Sequence, residues 1–211
     1  MKKSILIISA IMISWTTVIA QSLTDTREKF TAGIKAGANY ANVWDADGEE
    51  FDADAKFGFA GGVFASIPIG KFFGIQPEIL ISQKGFQASG VILGNDYSFK
   101  RTKTYLDFPL QVQFKPIEYV TLVMGPQIGF QIHEKNTYTF GSNSSEQEEE
   151  FENENVRKNL LGFVAGIDVN ISHFVLSGRL GFDFQNNNGD GTSTTPRYKN
   201  QWIQMTVGFK I

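Results

Sequence analysis

Eight charged residues recur where a strand's alternation would turn them away from its apolar side: Lys35, Lys84, Arg179 and Lys210, with Glu78, Asp107, Asp168 and Asp183. Charges taken out of water persist when they are paired and hydrogen-bonded. A set balanced in sign predicts an internal ion-pair network, whose chemistry is cohesion rather than turnover. A second set of cations stands just before apolar segments: Lys56, then Lys100, Arg101 and Lys103, then Arg157 and Lys158, then Arg197 and Lys199. Arginine can grip a phosphate through two parallel bonds, so this set predicts a phosphate-facing collar. The plainer reading is charge that happens to lie near loop ends.

Other chemistry is thinly supported. The histidines are His133 and His173. A nucleophile must lie within hydrogen-bond reach of its base. His133-Glu134-Lys135 would need Ser142, Ser144 or Ser145 to fold back. Asp45, Asp47, Glu49, Glu50, Asp52 and Asp54 form one oxygen-rich stretch, and Glu146, Glu148, Glu149, Glu150, Glu152 and Glu154 another. Neither has the spacing of a helix–loop–helix calcium site, and like-charge runs ordinarily keep a loop solvated. Divalent-cation bridging is the functional alternative for the second run. There is no cysteine, hence no disulfide, thiolate metal site or thiol nucleophile. No metal or cofactor is called for.

The elements that position these residues follow a period of two. From Tyr105 to Ile132 the chain reads YLDFPLQVQF, KPIE, YVTLVMGPQIGFQI. Leu106, Phe108, Leu110, Val112 and Phe114 share one face, and Tyr105, Asp107, Pro109, Gln111 and Gln113 the other, as a strand with two unlike faces requires. The short KPIE link predicts an antiparallel pair. The same pattern predicts strands at about 30–43, 57–67, 72–84, 159–169, 174–184 and 200–211. Connections alternate long and short, with long loops at 44–56, 85–104, 133–158 and 185–199. Eight strands so connected match a transmembrane barrel, with both chain ends on the short-turn side. No later run is long and apolar enough for a spanning helix, so a membrane position requires a closed barrel.

Residues 1–20 read as a secretory signal: Lys2 and Lys3, a short apolar run, and small residues before Gln21. A helical anchor is the alternative, but the run is short for one. Residues 21–211 then form one domain. Losing Lys2 and Lys3 takes the net charge from −3 to −5, which argues against nucleic acid as a partner.

Alternation alone also allows a soluble barrel with its apolar face inward. Two features point the other way. Glycines such as Gly33, Gly37, Gly62, Gly125, Gly166 and Gly181 fall on the polar face, where a narrow lumen would need small residues. The polar-face charges balance. Tyr40, Phe57, Phe73, Tyr105, Phe114, Tyr119, Phe130, Phe174 and Phe209 would form interfacial girdles.

The stretches TAGIKAGANYANV, FFGIQPEILISQKG, YLDFPLQVQFKP and QWIQMTVGFKI resemble the outer-membrane β-barrel family labelled "porin family", or PorT-like, of Gram-negative bacteria. The resemblance covers almost all of 21–211 and is specific for the fold. It implies an outer-membrane location, periplasmic termini and insertion by the barrel-assembly machinery. Members typically end in phenylalanine, whereas this chain ends Phe209-Lys210-Ile211. The collar would then face the lipid A phosphates of lipopolysaccharide. Eight strands leave a lumen filled by side chains, so the expected role is structural or adhesive, through the extracellular loops. The alternative is an accessory subunit of a secretion or uptake complex, with an envelope or surface protein as partner.

Overall fold

A computed structural model describes residues 26–45, 53–92, 95–141, 143–149, 159–187 and 198–211. The predicted signal segment, Arg157, Lys158, Arg197, Ser142 and most of the two acidic runs lie outside them. A 3₁₀ turn at Thr26–Glu28 precedes nine strands: β1 (Thr31–Asp45), β2 (Asp54–Pro68), β3 (Phe73–Ile92), β4 (Asn95–Ile117), β5 (Val120–Phe140), β6 (Asn143–Glu149), β7 (Asn159–Ile171), β8 (Phe174–Asp183) and β9 (Tyr198–Lys210). All pairings are antiparallel. The order runs β4-β3-β2-β1-β9-β8-β7-β5, and β4 pairs β5, so eight strands form a ring of pairings. β6 adds to β5 alone, beyond β7.

The predicted short turns are present: four residues between β2 and β3, and two each between β4 and β5 and between β7 and β8. In the last, Ser172 takes a positive φ of 54°, as tight hairpins demand.

The faces are sorted as the membrane reading requires. Ile34, Ile79, Leu110, Val112, Met124, Leu180, Met205 and Val207 all point outward and are exposed. Lys35, Glu78, Lys84, Asp107, Asp168, Arg179 and Asp183 point inward and are each at most 5 % exposed. A soluble protein would not leave such a belt in water while burying so many charges. The inward-facing apolar barrel is thereby overturned. Aromatic pairs border the belt at both ends: Tyr40 with Phe57 at 4.9 Å, and Phe73 with Phe114 at 5.5 Å. Tyr105 is the exception among the predicted girdle residues. It is buried in the lumen, as its alternation with Asp107 dictates.

Two predicted loops are corrected. The described residues of 85–104 and of 133–158 are largely strand. β3, β4 and β5 run 20, 23 and 21 residues, against 13, 10 and 13 for β7, β8 and β9. Their surplus pairs in register out to Ile92↔Asn95 and Tyr97↔Phe140. With β6 it forms a four-stranded sheet projecting about 30 Å beyond the belt, at roughly 3.4 Å per residue. Gly85, at φ 135°, and a register shift in the β4–β5 pairing at Thr104/Tyr105 mark where the sheet leaves the ring. A side chain at Gly85 would meet the Arg101 carbonyl.

Candidate functional site

Seven of the eight charges singled out in the sequence lie buried in the lumen, in two tiers. At the short-turn end Arg179, on β8, reaches Asp168 on the adjacent β7, with Nη1 and Nη2 donating to the two carboxylate oxygens at 2.7 and 3.1 Å. Its Nε donates to Gln111 Oε1 at 3.1 Å, and Glu78 lies 3.7 Å from Nη2. Glu78 also accepts from Lys35 Nζ at 2.5 Å and from Gln76 at 2.7 Å. This group joins five strands: β1, β3, β4, β7 and β8. Lys210 is half-buried at the same end and donates to Asn170 at 2.7 Å. It belongs to the mouth rather than to the network.

The second tier lies higher. Lys84 Nζ stands 3.0 Å from Asp107 Oδ2, and Ser82 donates to the same carboxylate at 2.5 Å. The ammonium sits 3.9 Å from the Trp202 ring and 4.8 Å from the Tyr105 ring, where π faces stabilise a desolvated cation. Asp183 accepts from Asn200 at 2.6 Å. The Trp202 indole lies on Gly181, where an added Cβ would fall 2.3 Å from the ring. Gly181→Val is therefore expected to cost about 1–3 kcal/mol through overpacking. It should also displace Trp202, seen as red-shifted tryptophan emission in a Trp44→Phe background. An unshifted spectrum would show that the lumen has room to spare.

The five described residues of the predicted collar do not share one face, and Arg157, Lys158 and Arg197 lie outside the described residues. Lys56, at 4 % exposure, is buried against the face of β4 that carries Thr102 and Lys100, whereas Lys103, at 1 %, points into the lumen. Lys56 donates to Thr102 Oγ1, and Lys103 to Asn187. Arg101 faces the same way as Lys103. Its Nε donates to Asn136 at 2.8 Å and stands 3.3 Å from Glu134, and its Nη1 donates to the Tyr198 hydroxyl. Burial alone would lower the Arg101 pKa, but the facing Tyr198 and Glu134 outweigh it and hold the pKa above its ordinary value. The reason is parity: Arg101, Lys103, Tyr105 and Asp107 alternate along one strand and share its inner face. Lys100 and Lys199 do turn outward, Lys199 lying 5.9 Å from the Trp44 ring.

Glu134 is a site residue that the sequence reading left unassigned. It closes an upper cluster with Arg101 and Lys103. The alternation of Glu134 and Asn136 with Lys135 and Thr137 was the available signal. Lys115 was also missed. It holds the short-turn mouth, donating to the Arg27 carbonyl at 3.1 Å and to Ser66 at 3.3 Å. Arg27 in turn donates to the Pro116 carbonyl and stacks over Phe72.

Ser144 and Ser145 pair with Thr139 and Tyr138. They stand five to six residues up the sheet from His133, about 20 Å at strand rise. Neither reaches His133, so these groups form no triad. Among the described residues, no group of three or more His, Asp or Glu is placed to hold a metal ion.

Several solved structures resemble this fold. Ail of Yersinia pestis, solved with the heparin analogue sucrose octasulfate, is 17% identical, with 87% of this chain and 99% of Ail covered and a TM-score of 0.47. Neisserial surface protein A is 12% identical, with 86% and 97% covered and a TM-score of 0.48. A major outer membrane protein of Thermus thermophilus is 16% identical, with 86% and 99% covered and a TM-score of 0.46. No curated protein matches the chain. The family model described as "Outer membrane protein beta-barrel domain" matches residues 19–189. That span takes in the strands from β1 to β8 with their charged lumen, and the chain belongs to this family of the cell outer membrane.

Proposed function

We propose that this barrel is a plugged, non-conducting protein with a structural or adhesive role at the cell surface, exercised through its projecting sheet. The observation that carries the reading is the sheet itself. β3, β4 and β5 continue in register well past the membrane belt, a length that spanning does not need. The lumen below is crossed by paired charges and filled by Tyr105, Phe86 and Trp202. The short turns and both chain ends lie in the periplasm, and the sheet stands outside. The likeness to PorT-like small barrels rests on the four sequence stretches quoted above.

Two experiments test this. The protein has no cysteine, so one introduced at a time reports alone. In intact cells a membrane-impermeant maleimide should label Ser98→Cys, on the sheet, and not Ser172→Cys, in the β7–β8 turn. The reverse pattern would invert the orientation. Purified protein in planar bilayers should give no steady single-channel current, and large stable currents would overturn the plugged lumen.

Among the described collar residues, lipopolysaccharide contact falls to the outward cations Lys100 and Lys199, the latter beside Trp44 at the belt's edge. Lys100→Ala combined with Lys199→Ala is expected to weaken lipopolysaccharide retention a few-fold, in keeping with exposed charges that contribute at most ~1 kcal/mol each. Unchanged retention would remove Lys100 and Lys199 from the collar. Insertion by the barrel-assembly machinery would read β9, whose last aromatic is Phe209.

A further inference from the structure

The lumen charges that balance in number do not balance in place. Lys35 faces Glu78, Lys84 faces Asp107, Lys103 faces Glu134 and Arg179 faces Asp168, each at 3.6 Å or less. Asp183, the carboxylate that completes the count for Lys210, lies in the upper tier beside Asn200. The short-turn mouth is left with Lys115 and Lys210. Among the described residues neither has a carboxylate partner. They donate to the Arg27 carbonyl, Ser66 and Asn170, all neutral. Lys115 is nonetheless only 5 % exposed, and an ammonium group taken out of water without a counter-charge is costly.

The topology turns the two lysines toward each other. Lys115 lies near the end of β4 and Lys210 at the end of β9. These strands stand opposite, four pairings apart in either direction round the ring. The two ammonium groups come near enough for one charge to act on the other. An ammonium carries three N–H donors. Lys115 uses two on its neutral partners and Lys210 uses one, so donors remain on both sides of the mouth.

Both lysines line a cavity of about 40 Å³, to which all eight strands of the ring contribute side chains. It holds about three waters at roughly 10–15 Å³ each. That suits a small oxyanion and is too little for a sugar ring or an acyl chain. The lining carries four cations, Arg27, Lys29, Lys115 and Lys210, against Glu118 and Asp168. Both Asp168 oxygens already accept from Arg179, and Glu118 is exposed in the β4–β5 turn.

The opposed donors select the class of anion. A carboxylate presents both oxygens to one side, and chloride brings a single charge. A tetrahedral phosphate presents oxygens to opposite walls and, as a monoester, carries about −1.5 to −2 charge at pH 7. We infer that the short-turn mouth is a binding site for one phosphate group, which bridges Lys115 and Lys210 across the barrel. Inorganic phosphate and the phosphate of a monoester share this chemistry. Bound there, the group supplies the counter-charge that no described carboxylate provides and ties β4 to β9. That it arrives from the periplasm rests on the orientation proposed above; binding itself does not.

The test is equilibrium dialysis of the folded, detergent-purified protein against radiolabelled inorganic phosphate, with ionic strength held constant by chloride. Saturable binding of one phosphate per barrel is expected. Lys115→Gln and Lys210→Gln should each weaken it about tenfold or more, the loss of one charge-assisted hydrogen bond. The outward variant Lys100→Ala/Lys199→Ala should bind as the parent does. Heat-modifiable mobility certifies folding, and if Lys115→Gln does not fold, the half-buried Lys210→Gln decides. No saturable binding, or equal binding by Lys210→Gln, overturns the inference. So does displacement by acetate at equal concentration, which would assign the mouth to carboxylates. Competition by glycerol 3-phosphate would show that the site takes a phosphate monoester, and phosphate binding without that competition would confine it to the free ion. Maleimide labelling of Ser172→Cys in intact cells separates the two readings: a labelled turn means the orientation has failed, whereas an unlabelled turn with no phosphate binding means this inference alone has failed.

Discussion

Arg179→Ala is expected to lower the stability of the barrel by about 3–5 kcal/mol, the usual loss when one partner of a buried pair is removed. The guanidinium is 3 % exposed in its side chain and holds both Asp168 oxygens, with Glu78 and Gln111 alongside. Removing it leaves Asp168 as an unpaired carboxylate in the lumen and Glu78 with Lys35 as its remaining cation. The urea midpoint in detergent micelles, read by heat-modifiable mobility, should fall steeply. Adding Asp168→Asn should recover much of the loss, because the residual charge rather than the missing contact carries most of the cost. An unchanged midpoint in the single variant would mean that water reaches this tier freely. No conductance should appear, since the second tier around Lys84, Asp107 and Trp202 still fills the lumen above.

Leu110→Arg tests the opposite face. Leu110 is 54 % exposed on β4, near the middle of the belt, between Phe108 and Val112. If lipid covers that face, arginine there costs about 2–4 kcal/mol, falling toward zero near the belt's edges. Vesicle-inserted Leu110→Arg should therefore unfold at much lower urea than the parent, and Phe209→Arg at the edge should show a smaller effect. A soluble barrel would accept arginine at an exposed leucine almost without cost. Equal midpoints for Leu110→Arg and the parent would thus refute the membrane belt.

The fold was legible because the belt imposes period two on every strand with a sharp chemical contrast. Asp107 beside Phe108, or Arg179 beside Leu180, assigns its own face. The charge network followed, since residues of one parity converge on a lumen too narrow to keep them apart. The projecting sheet was not legible in the same way. Between Asn95 and Thr104 the contrast weakens, with Ser, Thr and Lys on one side and Tyr, Phe and Arg on the other, and this reads as loop when alternation means apolar against polar. β-Branched and aromatic residues in YSFKRTKTY and NTYTF were the usable sign. Two collar residues were misplaced for a related reason: Arg101 and Lys103 were grouped by nearness to a strand start, when strand parity already turned them inward.

The ring of pairings has one seam with a cost of its own. Every join but one links strands close in the sequence, whereas β1 meets β9 across some 165 residues, as in Ala38↔Met205. The ends are stitched there by reciprocal bonds between Ala32 and Ile211 at 3.2 and 2.9 Å. Closing so long a loop carries the largest chain-entropy penalty of any pairing in the ring. Until it closes, β1 and β9 each present a row of unpaired amides and carbonyls, which hydrocarbon cannot solvate. Variants that slow folding are therefore expected along β1 and β9, even where they leave the finished barrel as stable as before.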